Sequence, residues 1–205
     1  MEYEELNGKP DSLKRYAKIC AKCCDQAEHI LREQEDTSLI TDLAKQVIYY
    51  GRHLGQFEHM LNDAYSATSR MGKCLFEHPR LLLELKETEY EILRYIEAVQ
   101  QHELAITEDL RHEIAQLKAN IKAADEGRLD DIHDGRMLQS DPIEWTAEYE
   151  AVIDEADRRA YARLKGVPRG MGFCFAYWAE KQNALYELGI EWVTPSTMNP
   201  GVMFD

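Results

Sequence analysis

The sequence predicts an all-α protein: an antiparallel bundle of three to four long helices, then a smaller C-terminal two-helix unit with an irregular apolar tail. Three observations lead there. Apolar residues recur at alternating spacings of three and four through most of the first 126 positions, the mark of helices buried along one side. No run alternates apolar and polar residues over a useful strand length. Gly and Pro are absent from 80–126 and recur at 127–142 and beyond 166, so the punctuation of the chain changes where the long helices end.

Taken in order, Asp11 can cap a helix that starts at Ser12, and Leu13, Tyr16, Cys20, Cys23, Ala27 and Ile30 form its apolar seam. A polar break follows at 33–37. The second helix begins near Thr37 or Ser38. Its seam runs Ile40, Leu43, Val47, Tyr50, Leu54, Phe57, Leu61 and Ala64, a repeat of coiled-coil character. Gly51 and Gly55 lie beside this seam and let another backbone come close, at ~1 kcal/mol of helix stability each. The segment 72–79 closes the element.

Within 80–126 there are two seams. Leu81, Leu85, Thr88, Ile92, Tyr95 and Val99 make the first, and Ile106, Leu110, Ile114, Leu117 and Ile121 the second. The segment reads either as one rod of roughly 69 Å at 1.5 Å per residue, or as two helices broken near Thr107, an N-cap followed by Glu108 and Asp109. A compact monomer favours the break and an extended assembly module the rod. The expected organisation is a bundle over 1–126, an acidic linker over 127–140 and a helical unit over 141–205. Asp141-Pro142-Ile143-Glu144 opens that unit with an acidic cap, Pro at the first helical position and Glu three after the cap. Trp145, Tyr149, Val152, Ile153, Ala156, Ala160 and Leu164 supply the apolar side, and Gly166 with Pro168 ends the helix. A last helix spans about 171–188. Gly189 then takes a left-handed position and Ile190 folds back on Leu185. In the tail, Asn199-Pro200-Gly201-Val202 fits a type II turn. Its apolar residues Trp192, Val193, Met198, Val202, Met203 and Phe204 call for packing onto the last helix with Trp145 or Trp178, or onto a partner.

Charge narrows the function classes. The chain carries 24 Lys+Arg against 38 Asp+Glu, a net charge of −14, which argues against general nucleic-acid binding. Residues 125–157 hold twelve acids and two bases (Arg128, Arg136), whereas 158–179 hold five bases (Arg158, Arg159, Arg163, Lys165, Arg169) and no acid. Such a reversal serves self-docking, partner selection or solubility. No apolar run reaches the ~18–20 residues that span a bilayer. The opening Met1-Glu2-Tyr3-Glu4-Glu5 is acidic, unlike a leader peptide, and five cysteines are too few for a disulfide scaffold. A cytoplasmic chain with no membrane partner is expected.

Near the end stand Gly170-Met171-Gly172-Phe173-Cys174-Phe175-Ala176-Tyr177-Trp178, Lys181, Gly189-Ile190-Glu191-Trp192, Pro195, Met198-Asn199-Pro200 and Phe204-Asp205. This block resembles the ending of short uncharacterised proteins carried by phages and other bacterial mobile elements. The resemblance covers about 36 residues and implies a genetic context without an activity.

Candidate chemistry is sparse. Cys20 and Cys24 share a helix face and suit zinc if two more ligands join them; His53 is level with Cys20 on a hairpin, whereas Cys74 and His78 lie far along it. Cys20 and Cys23 occupy seam positions where a small apolar side chain suffices, so no metal and no cofactor is assigned. A di-iron bundle needs Glu three residues before His, and no His has one. Asp130-Asp131-Ile132-His133-Asp134 lacks the spacing of a calcium loop. Neither a nucleophile elbow nor a phosphate loop is present, and Cys174, near the bases, has no neighbouring His to activate it.

Two weak sites remain. Arg169, Gly170 and Gly172 at a helix start, with Tyr177, Trp178 and Lys181 beyond, suit an anionic ligand. Glu144, Glu148, Asp154 and Glu155 could form a surface that imitates a nucleic-acid backbone and occupies a basic site on another protein. The preferred reading is a non-enzymatic helical interaction or assembly protein with a protein partner or a homodimer. The acidic decoy and the anion-binding module are the alternatives.

Overall fold

The computed structural model describes residues 3, 5–135 and 137–204. Met1, Glu2, Glu4, Arg136 and Asp205, which entered the readings of charge and of the ending, lie outside them. Among the described residues the protein is all-α, without strands: α1 (Pro10–Arg32), α2 (Ile40–Leu54), α3 (Leu61–Gly72), α4 (Pro79–Gln100), α5 (Ala105–Asp125), α6 (Ala147–Arg163), α7 (Phe173–Glu187) and a single turn, α8 (Pro195–Met198). No helix is long and apolar enough to cross a membrane.

The chain forms two compact units. The first comprises residues up to His29 with Ile40–Leu117, and the second Ile30–Leu39 with the chain from Lys118 onward. Residues 30–39 belong to the second unit, and the boundary between the units falls within α5.

In the first unit, helices adjacent in sequence alternate in direction. Cross-contacts set the register: Thr41 Oγ1 lies 3.2 Å from His78 Nε2 and Arg52 donates to Thr88 Oγ1 at 3.0 Å, so α2 and α4 rise together. Between them α3 descends, with Gly72 against Leu85 and Lys86. Lys86 then reaches Glu113 on α5 at 3.1 Å. Arg70 on α3 grips Glu28 with two bonds of 2.8 Å and Asp25 with one of 2.7 Å, tying α3 to α1. The predicted α1 seam is buried throughout, as are Ile40, Leu43, Val47, Tyr50, Leu54, Leu61 and Ala64 of the second seam.

Two expectations change and one choice is settled. The helix read as continuous through the second seam is two helices, α2 and α3, joined through Gly55 and a 3-10 turn, Glu58–Met60. At the break α4 comes close: a Cβ on Gly55 would stand 2.7 Å from Ile92 Cγ1, so only a residue without a side chain fits there. Second, of the two readings of 80–126 the structure has the two helices, with the break at residues 101–104, a few residues before Thr107. Gln101 turns left-handed (φ 54°), and the Glu97 carboxylate accepts the Leu104 N–H at 2.8 Å, doing the work of an N-cap from the previous helix. Third, the α4 seam drifts. Leu85, Thr88 and Ile92 are buried, but Tyr95 and Val99 are exposed, and Leu93 and Ile96 take their place. A strict three-four repeat slides about 20° per heptad around a straight helix, so its later positions leave the core. Ile106, the first residue of the α5 seam, is likewise exposed, while Leu110, Ile114 and Leu117 are buried.

In the second unit, Asp141 accepts the Ile143 N–H at 3.0 Å but opens only a 3-10 turn, Pro142–Trp145. Thr146 caps α6 instead, its Oγ1 accepting the Tyr149 N–H at 3.2 Å. The α7 ending matches the sequence. Gly189 is left-handed (φ 87°). Ile190 N–H bonds Leu185 O at 2.9 Å, and Gly189 N–H bonds Tyr186 O at 3.1 Å, the paired closure of a Schellman motif. Tyr149, Ile153 and Ala156 of α6 pack with Ala184 and Leu185 of α7, Ile190 and Trp192. In the tail, Val202 N–H bonds Asn199 O at 3.2 Å across Gly201 (φ 93°), in keeping with the type II turn.

Candidate functional site

The second unit is built around one carboxylate. Asp157 projects from α6 toward α7, where Tyr177 and Lys181 lie four residues apart and so share a face. Tyr177 OH donates to Asp157 Oδ1 at 2.7 Å, and Lys181 Nζ stands 3.3 Å from the same oxygen. Thr37 Oγ1 donates to Oδ2 at 2.6 Å, which holds the 30–39 segment on α6. The Lys181 ammonium also lies over the rings of Tyr177 and Trp192, at 5.5 and 5.4 Å, where the ring quadrupoles favour a cation. Trp192 in turn donates its indole N–H to Glu144 Oε1 at 2.9 Å, and its carbonyl accepts from Gln182 at 2.7 Å. Val193 N–H is taken by Asp141 Oδ2 at 2.7 Å. The tail as far as Val193 is therefore anchored by polar bonds as well as by burial.

On this foundation sits an exposed apolar face. Phe204 returns to α7 and meets Trp178 edge-on at 5.0 Å and Phe175 at 6.4 Å, while Phe175 and Trp178 meet at 5.6 Å. Met171, four residues before Phe175, is 92% exposed and Met203, next to Phe204 in the chain, is 95% exposed; Phe175 and Val202 are also exposed. The approach to α7 is solvent-exposed from Lys165 through Met171. Arg169 stacks on Phe173, its guanidinium carbon 4.0 Å from the ring centroid, and stands 5.3 Å from the Tyr161 ring.

The sequence-predicted anion site is only partly assembled. Gly172 (φ 81°) does open α7, but Phe173 N–H is bonded to Gly170 O and Phe175 N–H to Gly172 O, so these donors already have partners. Arg169 lies on aromatic rings, Trp178 packs under Phe204, and Tyr177 with Lys181 turns inward to Asp157. Lys181, offered by the sequence as charge for an anionic ligand, is fully buried and pairs with the Asp157 carboxylate of the protein itself.

The acidic set is also dispersed. Glu144 is buried against Trp192, and Glu155 pairs with Arg158 and, at 2.7 Å, with Arg159. Asp154 is half-buried, and Glu148 is exposed. Arg163 reaches Glu187 at 2.8 Å and Glu180 at 3.6 Å. Asp157, Thr37 and the roles of Glu144 and Trp192 in one network were missed. One signal existed: Asp157 stands four after Ile153 and three before Ala160, among the apolar positions of α6.

Cys20, Cys23, Cys24 and Cys74 are buried, and burial raises all four thiols, Cys24 to about 12. His53 Nε2 lies 3.1 Å from Asn7 O instead of turning to Cys20. Among the described residues no group of three or more His, Cys, Asp or Glu is placed to hold a metal. In the first unit a groove of about 470 Å³ lies between α2 and α4, lined in part by Arg52, Gly55, Glu91 and Tyr95. Its arginine is turned onto Thr88 and Glu84. No protein-family model, no curated protein and no solved structure matches the chain, so the geometry alone carries the functional reading.

Proposed function

We propose that this is a non-enzymatic helical interaction protein of the cytoplasm, which docks a protein partner on the Met171–Phe175–Met203 face of its C-terminal unit. The observation that carries the reading is the pairing of two almost fully exposed methionines with an aromatic platform. Met is flexible and polarizable, and it is over-used at surfaces that accommodate partner side chains. Aromatic anchors flanked by polar groups have the anatomy of an interface centre. The buried network beneath gives the platform a fixed shape, which limits the ordering cost of binding. Carriage by a phage or other mobile element, implied by the ending, belongs to the same proposal. The net charge of −14 favours a protein over a nucleic acid as the partner.

The test is affinity capture from native host cells with wild type and a Met171→Glu/Met203→Glu variant side by side, at two ionic strengths. Both residues are solvent-exposed, so the variant should keep its helical circular dichroism. Loss of a protein captured by wild type is expected; identical capture by both would overturn the reading.

A further inference from the structure

We infer that the groove between α2 and α4 binds a small zwitterion with an aromatic body, of the class of the free α-amino acids: its carboxylate meets Arg52, its ammonium meets Glu91, and its side chain lies on Ile92 and Tyr95. The groove belongs to the first unit and the docking face to the second, so this inference does not rest on that reading.

The groove exists because the two helices stop at different levels. They rise together, but α2 ends at Leu54 whereas α4 continues to Gln100. At the end of α2 the chain passes Gly55, where a side chain would collide with Ile92, and these two residues leave a low floor. The space above it is about 470 Å³, within the ~300–1,000 Å³ usual for small-molecule sites. Along one wall, Thr88, Glu91, Ile92 and Tyr95 stand at helical spacing and share a stripe of α4. From Thr88 to Tyr95 that stripe rises ~10 Å. Arg52 and Gln56 line the other wall.

Charge selects the ligand. Two charged side chains line the groove, Arg52 and Glu91, and they are not paired with one another. Arg52 donates through Nη2 alone, to Thr88 Oγ1 at 3.0 Å and to Glu84 at 3.5 Å, so its Nε and Nη1 have no acceptor among the described residues. Glu91 has no hydrogen-bond or ion-pair partner among them, and neither the Gln56 amide nor the Tyr95 hydroxyl has one. Thr88 is buried and its hydroxyl donates to Glu84 O at 2.9 Å, which holds the guanidinium in place before a ligand arrives and lowers the cost of ordering it. A carboxylate on the remaining donors gains charge-assisted bonds. A lone anion would then face Glu91, and a lone cation would face Arg52; a molecule with both charges satisfies both. Glu91 lies one turn beyond Thr88, ~4.5 Å of rise, so those charges must sit close together, as they do around the single carbon of an α-amino acid. The next turn leaves room for its side chain against Tyr95, which is exposed and offers ring surface for an aromatic contact.

Isothermal titration calorimetry of the purified full chain with L-phenylalanine, carried to its solubility limit, tests this. Two analogues keep the ring and one charge: 3-phenylpropionate lacks the amine, and 2-phenylethylamine lacks the carboxylate. Wild type should bind phenylalanine saturably and each analogue ~10-fold or more weakly, as expected when a hydrogen bond to a charged group is lost. Glu91→Gln should remove the preference for phenylalanine over 3-phenylpropionate, and Arg52→Gln the preference over 2-phenylethylamine. Glu91 has no partner to lose, so Glu91→Gln should keep its helical circular dichroism and decides the matter even if Arg52→Gln loosens the contact with Thr88. The absence of saturable phenylalanine binding to wild type, or a Glu91→Gln protein that still prefers phenylalanine over 3-phenylpropionate, overturns the inference.

Discussion

Asp157 and Lys181 form an ion pair of 3.3 Å with side-chain exposures of 2% and 0%, and this pair joins α6, α7 and the Thr37 segment in one network. Breaking a buried pair from one side leaves an uncompensated charge, which typically costs ~3–5 kcal/mol, whereas replacing both partners by apolar groups is far milder. Lys181→Met should therefore destabilise the protein strongly in urea denaturation, and Asp157→Leu/Lys181→Met should recover much of the loss. A double variant as unstable as Lys181→Met alone would show that the bonds to Thr37 and Tyr177 matter more than the charge.

Glu97 gives a pH prediction. Its carboxyl is held below the ordinary range, first by the Leu104 N–H and further by Arg94. A lowered folded pKa contributes stability above the unfolded value of ~4.3 and loses it as pH falls through the folded value. Glu97→Gln should thus destabilise at neutral pH, with a difference from wild type that shrinks in denaturation midpoints taken in strong acid.

Glu89 has the opposite sign. Burial raises its pKa, although Lys86 stands 3.5 Å away and works against the shift. A raised folded pKa contributes stability at low pH that is lost as pH rises. Glu89→Gln is expected to leave the neutral-pH melting temperature unchanged or higher; a marked drop would mean that the Lys86 pair dominates.

The thiols offer a reading of packing. Cys20, Cys23, Cys24 and Cys74 are buried and their pKa values are raised, while Cys174 is only half-buried. A thiol reagent should therefore label one cysteine quickly and the other four only on unfolding, and Cys174→Ser should remove the fast phase. Two or more fast thiols would contradict the packing of α1 on α3.

At the α2–α3 break, Gly55→Ala would set a Cβ 2.7 Å from Ile92 Cγ1, while Gly51→Ala would meet Thr68 Cγ2 at 3.3 Å. Overpacking of the first kind costs ~1–3 kcal/mol. Gly51→Ala should cost less, because Ala is the better helix former. Combining Gly55→Ala with Ile92→Ala should be less than additive in thermal unfolding, since the two positions touch.

The all-α class, the buried stripes of α1 and α2, and the glycine closure of α7 follow from the order of residues alone. Each is a local matter: a stripe every three or four residues, or a Gly where φ must be positive, acts within a few turns of its own helix. The places where helices stop were less legible. Gln101 takes a left-handed conformation with no Gly to announce it, and Glu97 caps the next helix from seven residues away. The candidate site was legible in its ingredients and not in its grouping. Arg169 stacks on Phe173, Trp178 meets Phe204, and Tyr177 and Lys181 are directed inward by Asp157, which no spacing rule connects to Thr37 across 120 residues. That contact, and the choice of which charges are buried and which remain on the surface, belong to the tertiary structure, because a side chain finds its partner only when distant segments meet and exclude water.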